Sequence, residues 1–277
     1  MSARTGMPRT PIERVAGVTL AVVAALVALF LIAPLLAILP LSVSDGQFLV
    51  YPIRGFSLRW FETFFASERW ALAIRNSFAI GATAASIATV LGTLAAIGLA
   101  RANFRGKKFV TAVLLSPLIV PIVIYAVGLY FFFARMGLTQ TYTGIVLAHA
   151  ALGSPFVVVT VGAALANFDH TLMRAASGLG ASPLVAFRRV MLPIVLPGVL
   201  TGALFAFAAS FDEVVTVIFL AAPQQRTIPR EMFSGIRENI SPVIAAASVV
   251  MIVTAVLLVA TVEWLRRRSL RARQQAG

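Results

Sequence analysis

The 277-residue chain contains no cysteine, which excludes disulfides, thiolate metal sites and cysteine nucleophiles. Histidine is nearly absent. His149 and His170 lie in different segments, with no acidic or cysteine residue at metal-ligand spacing, so no metal site is expected. The serines have no histidine–carboxylate set to activate them. No Gly-x-x-x-x-Gly-Lys-Ser/Thr phosphate loop occurs, since the glycines at Gly178 and Gly180 lack both the lysine and a preceding strand. No catalytic residue is assigned, and the chain is expected to be neither an enzyme nor the holder of a cofactor. Charge is scarce as well, at 12% of residues; soluble domains usually carry about twice that fraction.

What fills the chain instead is apolar. Hydrophobic residues make up 60% and the mean hydropathy is +0.94, too much apolar surface for one soluble core. A helix needs about 20 apolar residues to cross a bilayer. Stretches that meet this run roughly Gly17–Leu41, Ala71–Ala100, Phe109–Ala134, Thr143–Asn167, Ile194–Ala222 and Val243–Leu265. The first follows Arg4, Arg9 and Arg14, as in a signal peptide. Its apolar run exceeds the ~7–15 residues of one, and no clear small-residue cleavage site follows, so an uncleaved span is expected. The expectation is a single all-α, polytopic membrane domain over residues 1–277 with about six transmembrane helices.

The formal charge of +13 does not point to nucleic acid. The basic residues form short runs between apolar stretches instead of a polar face with interleaved aromatics. Of the 23 basic residues, 15 fall on one side of the predicted spans: Arg4 to Arg14, Arg101 to Lys108, Arg174 to Arg189, and Arg266 to Arg273. By the positive-inside rule that side is cytoplasmic, and both termini are placed there. The outer segment at about 42–70 is rich in aromatics, including Phe48, Tyr51, Trp60, Phe64 and Trp70. It reads as an interfacial belt or as a docking surface for an outer protein. Prolines in the spans (Pro34, Pro40, Pro117, Pro121, Pro155, Pro193 and Pro197) are expected to bend helices. Gly198 and Gly202 form a small-xxx-small pair suited to close helix packing.

Two places carry further signals. In the cytoplasmic segment at about 168–193, Leu172, Ala175, Ala176 and Leu179 recur at helical spacing. Gly180 is expected to end that helix, and Ser182-Pro183 to start another with Leu184, Val185, Phe187 and Val190 on its apolar face. Such a helix–Gly–helix unit fits a groove of a soluble partner, or packs as an ordinary loop on its own bundle. In the fifth span, Asp212 and Glu213 sit side by side in an apolar helix. A carboxylate there costs roughly 2.5–3.5 kcal/mol on insertion scales. The pair reads as a cation-attracting lining of a pathway, or as a structural ion pair with Arg75.

The cytoplasmic segment resembles a known family. Ala175-Ala176-x-x-x-Gly180, nine residues, then Val190-x-Leu192-Pro193 is similar to the Glu-Ala-Ala loop of type I (MetI-like) ABC importer permeases. The resemblance implies a coupling segment that includes Arg174, Ala175, Ala176, Gly180, Ala181, Phe187, Leu192 and Pro193 and fits a cleft of an ATPase subunit. It departs at Arg174, where the family carries glutamate, and a salt bridge from that position to a basic ATPase residue is lost by the charge reversal. Along nearly the whole chain the sequence is similar to the second permease subunit of spermidine/putrescine importers. Gly55-Phe56-Ser57 with Trp60, Asn76-Ser77, Phe104-Arg105-Gly106-Lys107 and Ser116-Pro117 carry this likeness. So do His149 with Pro155-Phe156-Val157-Val158-Val159-Thr160, Ser210-Phe211-Asp212-Glu213-Val214-Val215, and Ser241-Pro242. It implies a multi-pass protein of the bacterial inner membrane, paired with a homologous second permease. Two cytoplasmic ATPase subunits, which bind the ATP, a periplasmic solute-binding protein and a small solute such as a polyamine are implied too. A self-sufficient secondary transporter would show related halves with charges in both, and only one half carries an acidic pair.

Overall fold

The computed structural model describes residues 11–238 and 241–275, and the described residues are helices joined by short connections. In chain order these are α1 (Pro11–Ser42), α2 (Arg59–Ala66), α3 (Glu68–Arg101), α4 (Lys107–Leu115), α5 (Ile122–Arg135) and α6 (Tyr142–Ala166). There follow α7 (Thr171–Gly178), α8 (Pro183–Ala186), α9 (Leu192–Phe211), α10 (Val215–Leu220), α11 (Ile228–Glu238) and α12 (Val243–Gln275). Five helices, and one bent pair, are long and apolar enough to cross a membrane. Arg4 and Arg9, used above for orientation, and Gly277 lie outside the described residues.

The centre is a three-helix contact of α3, α6 and α9. Its core is built from small and β-branched residues, among them Ala88, Ala96, Val157, Val161, Val195 and Ala206. Lipid tails are as apolar as these side chains, so burial alone does not drive the helices together. Close van der Waals approach does, and it needs residues with little side chain. Gly198 and Gly202 serve that purpose. A Cβ at Gly198 would lie 2.8 Å from that of Ala164 and 3.0 Å from the Thr160 carbonyl oxygen; one at Gly202 would lie 2.9 Å from Val157 Cα. On α3, a Cβ at Gly92 would meet Val157 Cβ at 2.7 Å.

Two expected spans are not continuous helices. The third breaks between α4 and α5, whose axes differ by 104°. Ser116–Leu118 tightens to a 3₁₀ turn, with Ile119 and Val120 donating to the Ser116 carbonyl at 2.9 Å each. Pro121 then has no N–H to continue the ladder and starts α5 from an extended conformation, ψ 129°. The other prolines act differently: Pro34 and Pro40 in α1, Pro155 in α6 and Pro197 in α9 all sit inside helices that continue through them. The fifth span starts earlier and ends earlier than expected. It runs from Pro183 through a π-helical turn at Phe187–Met191 into α9 and stops at Phe211.

At the outer end the aromatic segment divides. Phe64 is fully buried, and Trp60, Phe61 and Trp70 pack beside it against Val243, Ala246 and Ala247 of α12. Phe48, Tyr51, Phe56 and Phe65 stay exposed. Trp60 is oriented by a hydrogen bond from Nε1 to the Ser44 carbonyl, 2.9 Å.

The glycine contacts give a stability test. Gly202→Val forces a branched side chain against the α6 backbone and should cost about 1–3 kcal/mol. A Gly98→Ala change, which meets nothing within 4 Å, should be neutral. Thermal unfolding of the two variants in detergent checks the contrast, and equal midpoints would refute close packing at Gly202.

Candidate functional site

The acidic pair does not lie inside a helix. α9 ends at Phe211, and residues 212–214 form an irregular break before α10. In an apolar setting the peptide groups released by such a break need protein partners. Glu213 supplies one, its Oε1 accepting from the Thr216 N–H at 2.9 Å, and so caps the short helix α10. His149 ties the two sides together through side chains, not through peptide groups. Fully buried on α6, its Nδ1 lies 2.7 Å from Ser210 Oγ at the end of α9, and its Nε2 lies 3.1 Å from Thr216 Oγ1 at the start of α10. One imidazole thus joins both sides of the break.

Asp212 points elsewhere. It is exposed and lines two grooves: one of about 460 Å³ between α9 and α12, with Phe205, Phe211 and Met251, and one of about 580 Å³ that reaches α1 and α11. The ion pair with Arg75, the alternative reading of the sequence, is formed by neither carboxylate. The two acids therefore have different surroundings, one spent on a helix start and the other open to grooves between helices.

Beyond α10 the chain turns back in a strap, residues 221–228, held by polar side chains of other helices. Asn76 Nδ2 donates to the carbonyls of Gln224 and Arg226, 3.0 Å each. Tyr142 donates to Gln224 O and Asn76 Oδ1, 3.1 Å each. Ser77 Oγ accepts from the Ile228 N–H at 2.8 Å, and Gln225 Nε2 reaches Gln140 O at 2.9 Å. Glu231, only 2% exposed, receives Arg69 on one oxygen and Arg226 on the other, the latter at 3.1 Å.

The cytoplasmic segment forms one compact unit. Asp169 starts α7 by accepting from the Thr171 N–H at 2.8 Å and the Thr171 hydroxyl at 2.6 Å. These bonds hold its carboxyl below the usual aspartate range, so the cap contributes fully above that range and is lost only as the pH falls further, through the lowered pKa of the folded state. The helix closes in a Schellman turn. Ala181 N–H bonds Ala176 O and Gly180 N–H bonds Ser177 O, 3.0 Å each, with Gly180 at φ +81°. Ser182, extended at ψ 156°, precedes Pro183 in the first turn of α8.

The apolar residues of this unit divide between two directions. Ala176, Ala186 and Met191 are buried, while Phe187 and Val190 pack half-buried on the α3–α6–α9 core. Leu172, Ala175, Leu184 and Val185 are exposed, and Leu179 at the tip is 90% exposed. Arg174 and Pro193 are exposed; Ala181 and Leu192 are half-buried.

Residues 88–271 match the family described as the binding-protein-dependent transport system inner membrane component. The chain belongs to this family. It is 33% identical to the spermidine/putrescine transport system permease protein PotC of Haemophilus influenzae, over 78% of this chain and 84% of that one. It is 32% identical to the putrescine transport system permease protein PotI of Escherichia coli, over 85% of each. Among solved structures it is similar to a bacterial ABC transporter involved in the import of the acidic polysaccharide alginate. The TM-score is 0.71 at 16% identity, over 93% of this chain and 98% of that chain, a likeness of fold.

As a permease of this family the chain carries functional candidates that pattern reading gave no role. His149, Ser210 and Thr216 close the break, and Asn76, Ser77, Tyr142, Gln225 and Glu231 hold the strap. For His149, Ser210, Asn76 and Ser77 the signal was polarity at buried depth within apolar helices. Removing the staple tests its role. His149→Leu strands two buried hydroxyls at a cost of about 2 kcal/mol. Amide exchange over residues 210–217 should then accelerate roughly thirtyfold, with α7 unchanged; unaltered exchange at the break would show that His149 does not hold it.

Proposed function

We propose that this chain is one of two permease subunits of an ATP-driven importer whose solute is a polyamine such as putrescine or spermidine. The observation that carries the substrate class is the identity of 32–33% to polyamine permeases over most of the chain. Asp212 supports it: an unpaired carboxylate open to inter-helix grooves favours a cationic solute, because an opposite charge in a poorly hydrated groove is felt strongly. Glu213, tied to Thr216, acts on this reading as the residue that fixes where Asp212 points.

The assembly fitting this reading has a homologous second permease, two ATPase subunits on the cytoplasmic side that bind the ATP, and a solute-binding protein on the periplasmic side of the inner membrane. This chain supplies no cofactor site of its own. Arg174, Ala175, Ala176, Gly180, Ala181, Phe187, Leu192 and Pro193 belong to the coupling segment, and exposed Leu172, Leu179 and Leu184 offer apolar contacts to an ATPase cleft. Closure of the ATPases moves α7. The motion passes through the Schellman turn, α8 and the π turn, which continue into α9 without a break, and reaches residues 212–214 at the far end. Alternating access follows if the break opens and closes there.

Vesicles holding the complete complex should take up radiolabelled putrescine or spermidine when ATP and the binding protein are present, and not when either is omitted. Asp212→Asn should lower that uptake roughly tenfold or more, the scale of one charge-assisted contact, with assembly intact. Gly180→Pro cannot adopt the left-handed turn and should separate ATP hydrolysis from uptake. An assembled, hydrolysing complex that imports no polyamine would overturn the substrate. Full uptake by Gly180→Pro would overturn the coupling route.

A further inference from the structure

The cytoplasmic connection between α3 and α4 carries an unused charge. Arg101, Arg105, Lys107 and Lys108 fall within eight residues, and no acidic residue occurs between Glu68 and Asp169. None of the four forms an ion pair with a described residue. Arg101 approaches only the Met191 sulfur, at 4.0 Å. Gly106, at φ +94°, turns the chain into α4. Phe104, Lys107, Lys108 and Thr111 line an open depression of about 660 Å³ there.

Thr111 also lines a second hollow. This groove, about 470 Å³, runs between α3, α4 and α6, with Leu99, Leu115, Val158 and Leu165 in its walls. No carboxylate lines either space. The bend at Pro121 turns α4 out of line with α5, and Phe109 is left 72% exposed on α4. A cationic depression thus adjoins an apolar groove at Thr111, at the level where, by the basic-residue bias, the cytoplasmic leaflet meets water.

We propose that these two spaces form one binding site for an anionic glycerophospholipid. The phosphate and negative headgroup sit against Lys107 and Lys108, with the charge of Arg105 beside them in the chain, and an acyl chain follows Thr111 into the groove. Basic clusters at the cytoplasmic face attract anionic lipid through the charge of the leaflet, and long basic side chains reach the headgroups while their stems cover apolar surface. A free phosphate has no use for the apolar groove; a lipid fills both parts. The groove ends at Phe168 and His170, the entry to the cytoplasmic helix pair, so the bound lipid buttresses the root of that unit.

Because this chain has no cysteine, one introduced thiol is its sole labelling site, and the complex without that thiol, labelled in the same way, gives the signal of any thiols on the other subunits to subtract. In the complex as purified with its copurifying subunits, Ala112→Cys on the exposed side of α4 is labelled with a fluorophore. It is then reconstituted with doxyl-labelled phosphatidylglycerol or doxyl-labelled phosphatidylcholine. Quenching should favour phosphatidylglycerol about tenfold. In the Arg105→Gln/Lys107→Gln/Lys108→Gln variant the two lipids should quench equally, with subunit composition unchanged. Equal quenching by the two lipids in the parent, or a preference that survives the triple variant, overturns the site. If the triple variant sheds its ATPase subunits, the cations are a protein contact and the lipid assignment falls. The measurement needs no transported solute, so its outcome is independent of the polyamine reading.

Discussion

Within hydrocarbon there is no water to complete an unpaired peptide group, so each place where a helix stops inside the membrane must be closed by the protein itself. Most of what is particular to this chain follows from that constraint. At residues 212–214 Glu213 takes the Thr216 peptide N–H, and His149 ties the Ser210 and Thr216 hydroxyls across the gap. At 221–228 the closure is made by Asn76, Ser77, Tyr142 and Gln225. Asn76, Ser77 and Tyr142 stand on apolar helices at positions that pure packing would fill with alanine or valine. They sit there because another segment has left its backbone open.

The two ends of the molecule therefore differ in construction. The outer end is tied by side chains reaching across long sequence separations, and each tie is one or two hydrogen bonds. The inner end uses local backbone geometry: a capped start at Asp169, a left-handed glycine at Gly180, and a π turn that keeps the chain helical from Pro183 into α9. Such an arrangement holds an element stiff along its length and leaves its far attachment made of exchangeable bonds, which suits a subunit that must pass motion in one direction.

Much of this was legible in the sequence. Long apolar runs marked where the spans lie, five continuous helices and one bent pair, because they respond to the bilayer alone. Gly180 and Ser182-Pro183 announced the cytoplasmic turn, since backbone conformations of that kind admit few residues. The breaks were not legible. Val214-Val215 and the residues after them remain apolar across the stop at Phe211, so hydropathy carries straight through it; Pro121 breaks a helix whereas Pro34, Pro155 and Pro197 do not, and the residue type alone does not tell the two outcomes apart. The split of Asp212 from Glu213 was hidden for the same reason. Adjacent carboxylates look alike until the fold shows that one has a peptide N–H to accept and the other has a groove to face.

The first helix stands apart from all of this. Within Val15–Ser42 an apolar stretch of 18 residues buries none of them inside the chain, Ser42 at the outer end being buried, and its main neighbour is α12. The stability of this fold therefore exerts little selection on which apolar residue occupies each position of α1. Any regularity that accumulates there over evolutionary time records demands made from outside the chain, so the substitution pattern of α1 is a readout of its surroundings and not of its own core.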